Sequence, residues 1–203
     1  MADTLIAGTT LVEKESRSIG DVPVGGITEW NDTFGNLPDG YVLCDGSTIN
    51  DPLSAWNATA VQDLNTEYLM IPGSDFISIS PSSKAVTTNG FNGTFRADAD
   101  TITIHAPVNL PTGVSVTEAI IYGNAGATAE SWNLYKNTSS TGANDSTLAS
   151  ANIGSADSSI TNPIIDNETF NYSIQTSTID TNDEVWGARI TYTPRNKFIM
   201  RVR

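Results

Sequence analysis

Thr101-Ile102-Thr103-Ile104-His105-Ala106-Pro107-Val108 alternates strictly between small or polar and apolar residues. Successive side chains of a strand point to opposite faces, so Ile102, Ile104, Ala106 and Val108 share one face, and Thr101, Thr103 and His105 the other. The same period of two recurs outward from here. Val114 and Val116, then Ile120 and Tyr122, are in phase, as are Trp132 and Leu134. So are Phe170, Tyr172 and Ile174; Trp186, Ala188, Ile190 and Tyr192; and finally Phe198, Met200 and Val202. Pro111-Thr112-Gly113, Gly123-Asn124-Ala125-Gly126 and the Asn137–Asn152 stretch read as turn-rich loops between them. Strands with one apolar face each need a second sheet to cover them, which predicts a β-sandwich of jelly-roll type over residues 91–203. No amphipathic helix is expected; residues 53–60 could make a single turn.

The rest of the chain divides by its punctuation. Residues 1–20 are a polar leader with a Glu13-Lys14-Glu15 cluster, and 73–90 a connector marked by Gly73, Pro81 and Asn89-Gly90, in which Asp75–Ser80 could form a short strand. Between them, residues 21–72 form a small module. Its strands are expected at Val22–Trp30 and Tyr41–Cys44, with turns at Leu37-Pro38-Asp39-Gly40 and Asp45-Gly46, where Gly supplies a positive φ. The fold class is therefore all-β in two modules.

The 203-residue chain carries 23 acidic and 10 basic residues, a formal charge of −13. Between residues 18 and 188 the only bases are Lys84, Arg96 and Lys136, whereas Arg195, Lys197, Arg201 and Arg203 crowd the end. An acidic body repels phosphate, so nucleic acid is not an expected partner. A single cysteine, Cys44, excludes an intrachain disulfide. The first residues lack the basic and apolar regions of a signal peptide, and no apolar run approaches the length of a membrane span, so membrane insertion is not expected.

Leu37-Pro38-Asp39-Gly40-Tyr41-Val42-Leu43-Cys44-Asp45-Gly46-Ser47-Thr48-Ile49 resembles the phage tail-collar family, as does Val24-Gly25-Gly26-Ile27-Thr28-Glu29-Trp30 before it and Asp63-Leu64-Asn65 after it. Tyr41 stands where Trp is commoner, and Ile71-Pro72-Gly73 where an arginine- and glycine-containing run is usual. The resemblance spans roughly residues 18–66. It implies a virion component of a tail fibre, spike or collar, trimeric, with a receptor-binding part at one end. The expected function is thus a structural virion protein involved in host attachment, a homotrimer contacting other virion proteins and a host surface glycan or protein. The alternatives are a capsid-vertex spike or turret protein, and a free carbohydrate-binding β-sandwich module.

Enzyme chemistry finds little support. His105 is the only histidine, and no Gly-x-Ser-x-Gly accompanies it. Cys44 reads as a buried thiol, since one Cys and one His cannot complete a zinc site. Asp98 and Asp100 could face one way at glycosidase spacing, but such pairs are common in polar loops. Asp180, Asn182, Asp183 and Glu184 offer hard oxygen ligands at close spacing, a candidate calcium site weighed against a solvated turn. Trp56, in a polar segment, and Tyr135, on the face opposite Trp132, are candidates for stacking a ligand; Trp30, Trp132 and Trp186 read as core. Lys197, Arg201 and Arg203 are in phase with Ile199 and are the candidate intersubunit contact, with salt pairs inside the domain as the alternative.

Overall fold

The structure, a computed structural model, describes residues 22, 24–31, 37, 39–79, 86–89, 93–98 and 102–201. Its strands are β1 (Ile27–Asn31), β2 (Tyr41–Leu43), β3 (Glu67–Pro72), β4 (Ile77–Ser78), β5 (Val86–Asn89), β6 (Thr94–Ala97) and β7 (Ile104–Pro107). They continue with β8 (Ser115–Gly123), β9 (Ser131–Thr138), β10 (Asn144–Asn152), β11 (Phe170–Thr176), β12 (Glu184–Thr193) and β13 (Asn196–Arg201). The chain divides into two units, residues 67–193 and the remainder.

The larger unit is an antiparallel β-sandwich. One sheet runs β10-β9-β11-β7-β4; the other runs β3-β12-β6-β5, with β8 on the second edge of β12. Their inner faces share one core. Ile104, Ala106, Trp132, Leu134, Tyr172 and Ile174 meet Ile71, Phe95, Ile121, Val185, Ala188 and Ile190. The alternation of the opening segment is thus realised: Ile102, Ile104 and Ala106 are fully buried, and Ile102 continues the strand edge as an isolated bridge to Ile179. Trp132 is the largest side chain in this core, and its indole N–H donates to the carbonyls of Asn152 and Ser155 at 3.1 and 3.3 Å.

Two bulges on the β8–β12 pair reset the alternation. Val185 pairs with Gly123 and Gly187 with Tyr122, so Trp186 is an extra residue on β12. Thr191 pairs with Glu118 and Tyr192 with Val116, so Thr117 is an extra residue on β8. The consequences correct two expectations. Trp186 does not join Ala188 and Ile190 in the core but stands 51% exposed. Ala119 and Ile121 follow Val116 into the sandwich core, whereas Ile120, though buried, lies outside that cluster and Tyr122 is half-buried. Gly187 permits the first bulge: its φ is 152°, and a Cβ there would lie 2.5 Å from the Ile71 carbonyl oxygen.

Asn137–Asn152 is also not the expected loop, because β10 occupies most of it. Its outer edge is covered by the following segment. Thr161 N–H donates to Leu148 O, and the Asp157 carboxylate accepts from Ser150 N–H, both at 2.8 Å. On its other side the same segment bridges β8 at Ala119–Asp157 and Ser115–Ile164. The edges of β10 and β8, which would invite a foreign strand, are thereby occupied.

The smaller unit is a three-stranded sheet, β1-β13-β2. Its middle strand comes from the end of the chain, so Phe198 and Met200 pack on the small cluster of Cys44, Ile49 and Val61 and do not belong to the sandwich. The unit boundaries therefore depart from a 21–72 and 91–203 division: β3 is a sandwich strand, and β13 completes the module at the other end of the sequence. Gly40 and Gly46 do turn the chain on either side of β2, at φ 83° and 79°.

Candidate functional site

The outer face of the β10-β9-β11-β7-β4 sheet carries an open groove of about 510 Å³ lined by His105, Tyr135, Asn137, Gly142, Asn144, Asn171, Ser173 and Gln175. Strand alternation builds it. Every core residue of β9 and β11 is followed by one that faces out, so Trp132 and Leu134 alternate with Tyr135 and Asn137, and Tyr172 and Ile174 with Asn171, Ser173 and Gln175. Register sets these residues side by side. Gln175 lies opposite His105 of β7, Ser173 opposite Tyr135, and Asn171 opposite Asn137, which in turn faces Asn144 of β10. Gly142, in the hairpin between β9 and β10, adopts φ 67° and donates its N–H to Thr138 O at 2.7 Å.

Chemically the groove offers amides, one serine hydroxyl, an imidazole and one half-buried phenol. Only one hydrogen bond joins these side chains to each other, from Asn137 Nδ2 to Ser173 Oγ at 3.2 Å. Side-chain amides each bring donors and acceptors, so the surface can answer a ligand that carries many hydroxyls. No carboxylate is among its lining residues.

Tyr135 is thus where the sequence places it, on the face opposite Trp132, and His105 joins it there. The neighbouring amides were not singled out from sequence. Their signal is the regular polar member of each alternating pair in Asn133–Asn137 and Asn171–Gln175.

Trp56 takes a different place. It is half-buried against the Cys44 cluster of the smaller unit, and its ring fills the space beside Gly25, where a Cβ would lie 2.5 Å from Cη2. It is a packing residue rather than an open platform.

Asp180, Asn182, Asp183 and Glu184 do not converge. Asp183 Oδ2 accepts from Asp180 N–H at 2.8 Å, while its Oδ1 abuts Gly126, whose Cβ would lie 2.4 Å away. Asn182, at φ 72°, has its Oδ1 beside the Arg96 guanidinium, and Glu184 Oε2 accepts from the Trp186 indole at 3.3 Å. The segment is a tight turn leading into β12. Among the described residues no group of three or more His, Cys, Asp or Glu side chains is placed to hold a metal.

On β13, Arg201 donates from Nη1 to Val22 O at 2.7 Å, a bond within its own unit. Lys197 lies opposite Trp30 and Ile199 is fully buried, so this face is not an open basic stripe. Arg203, and the leader residues 1–20, lie outside the described residues. Asp98 is 3.8 Å from Arg96, and Asp100 is likewise outside.

The other sheet presents a second notable surface. Tyr68, Met70 and Trp186 are exposed there, and Arg189 lies among them, paired with Glu118 at 2.8 Å and 5.5 Å from the Tyr68 ring centroid. That hydrogen bond to Glu118 holds the guanidinium above its ordinary pKa.

No protein-family model matches the chain, and no curated protein does. Solved structures similar to it include the C-terminal CBM6 of a marine laminarinase from Zobellia galactanivorans, at 14% identity and TM-score 0.34 over 62% of this chain and 99% of that one. A xylan-binding module CBM15 aligns at 12% identity and TM-score 0.33 over 62% and 96%. A family two carbohydrate esterase from Cellvibrio japonicus aligns at 8% identity and TM-score 0.30 over 65% and 34%. Likeness at this level carries nothing about ligand or activity.

Proposed function

We propose that the larger unit is a glycan-binding β-sandwich, with the outer face of the β10-β9-β11-β7-β4 sheet as its binding surface. The observation that carries this reading is the groove, where a phenol ring stands beside three asparagines, a glutamine and a serine. A sugar ring has an apolar face of C–H groups and a rim of hydroxyls. Tyr135 offers the first a partner, and the amides of Asn137, Asn144, Asn171 and Gln175 offer partners to the second. The side chains are fixed by strands rather than by a long loop, so little ordering is needed on binding. Printed glycan arrays probed with the full chain test this reading. Tyr135→Ala should lower the affinity for the retained glycans about tenfold, or ~1.4 kcal/mol. Equal binding by the variant would remove the groove from the account.

A second reading places this module on a virus particle, as the attachment part of a fibre or spike that binds a host surface glycan, in a homotrimer with other virion proteins as neighbours. What favours it is the role of the residues that carry the tail-collar resemblance. Gly40 and Gly46 form the turns of the smaller unit, Cys44 forms its core, and Asn65 ties β13 to it. Immunogold labelling of intact particles, together with the native mass of the purified protein, tests it. Absence of label from particles would leave the free glycan-binding module.

A further inference from the structure

We infer that the groove selects uncharged glycans and rejects those carrying carboxylate or sulfate. The inference rests on the glycan-binding reading above and names the class of sugar. Residues 67–193 contain 13 acidic residues against four basic ones, Lys84, Arg96, Lys136 and Arg189, a formal charge of −9. An anionic sugar would need one of these cations, and the three described ones are committed elsewhere. Lys136 has its Nζ 3.5 Å from Asp145 and 3.6 Å from the centroid of the Phe170 ring. Arg96 lies beside Asp98 and Asn182. Arg189 is held by Glu118 on the other sheet. Lys84 lies outside the described residues.

The groove itself holds no Lys or Arg among its lining residues. Lys136 sits between Tyr135 and Asn137 in β9, so its side chain leaves from the opposite face of the strand. A carboxylate or sulfate entering the groove would lose water and meet no Lys or Arg there, only amide, hydroxyl and imidazole groups. It would do so against the field of an acidic body whose charges are screened only beyond about 8 Å at physiological salt. A hydroxyl-bearing neutral sugar exchanges water for amide and hydroxyl partners without that penalty.

The test uses an array printed with matched series of uncharged, uronic-acid and sulfated oligosaccharides, probed with the full chain at about 0.05 and 0.5 M salt. Uncharged members should be retained, with less than a twofold change between the two salts. Their charged counterparts should bind at least tenfold more weakly. Gln175→Lys puts a cation into the groove next to His105 and should raise retention of the charged series at least tenfold at the lower salt; Asn171→Lys is the second such variant should the first fail to fold. Preferential retention of the uronic-acid or sulfated series by the wild-type chain would overturn the inference while leaving glycan binding standing. Retention of neither series would instead overturn the glycan-binding reading itself.

Discussion

Replacing Asn65 by alanine should open the smaller unit, and the structure allows the cost to be worked out bond by bond. Asn65 is 5% exposed. Its Nδ2 donates to Cys44 O and Phe198 O, both at 3.0 Å, and its Oδ1 accepts from Phe198 N–H at 2.6 Å. The two carbonyls keep other donors: Leu64 N–H reaches Cys44 O at 2.7 Å, and Cys44 N–H reaches Phe198 O at 2.9 Å. Losing those bonds therefore costs only about 0.5 kcal/mol each, the low end for a hydrogen bond. Phe198 N–H is different. In an antiparallel strand the N–H and C=O of one residue point to the same side, and here that side is occupied by Asn65 and Cys44. Truncation leaves this N–H without a partner, at about 1–3 kcal/mol. The total is roughly 2–4 kcal/mol, or about a 30- to 700-fold rise in the open population. Cys44, fully buried and the only cysteine, reports that population directly. Burial, reinforced by the charge of Asp45, pushes its pKa up, so the closed state is doubly protected from thiol reagents. The rate of maleimide labelling under native conditions should rise by that factor, while the melt of the larger unit stays unchanged. A labelling rate within threefold of wild type would refute the assignment of Asn65 as the tie between β13 and its neighbours.

Other expectations follow from single contacts. Trp132→Ala should destabilise the sandwich by about 3–5 kcal/mol in denaturant titration, since it empties the largest buried site and leaves two carbonyls without their indole donor. Gly187→Ala should cost about 1–3 kcal/mol, because its φ and its closeness to Ile71 O are both hostile to a Cβ. Trp186→Ser, at an exposed position created by the bulge, should change stability by no more than about 0.5 kcal/mol in the same titration. Chelator should leave the melting temperature unchanged, because the turn at Asp180–Glu184 is closed by its own hydrogen bonds; a fall on chelation would restore the calcium reading.

Much of the sandwich was legible because alternation is a direct consequence of strand geometry. Ile104 and Ala106, Trp132 and Leu134, and Tyr172 and Ile174 could each be assigned to a shared apolar face of their own strand without any coordinates. The failures have physical causes. A bulge adds one residue and inverts every later position, which is why Trp186 and Ile120 changed faces; nothing in Glu184-Val185-Trp186-Gly187 but the glycine hints at it. β10 reads as a loop because Asn144-Asp145-Ser146-Thr147 carries no apolar member, and only Leu148 and Ala149 in that strand are buried. β13 was assigned to the wrong unit because periodicity reveals that a strand exists but not which sheet it joins. The groove was half legible: Tyr135 and His105 could be placed on an outer face, but lateral register, which brings Asn137, Asn171 and Gln175 beside them, is a long-range property.

The most direct test of the central claim is a titration followed through the side-chain amide signals of Asn137, Asn144, Asn171 and Gln175 in two-dimensional ¹H–¹⁵N spectra, using an uncharged oligosaccharide retained on the array. These four amides should shift together and saturably, with the signals of Arg189 and the Trp186 indole unmoved. Shifts gathered instead around Tyr68, Met70 and Trp186 would place the binding surface on the other sheet and contradict the account.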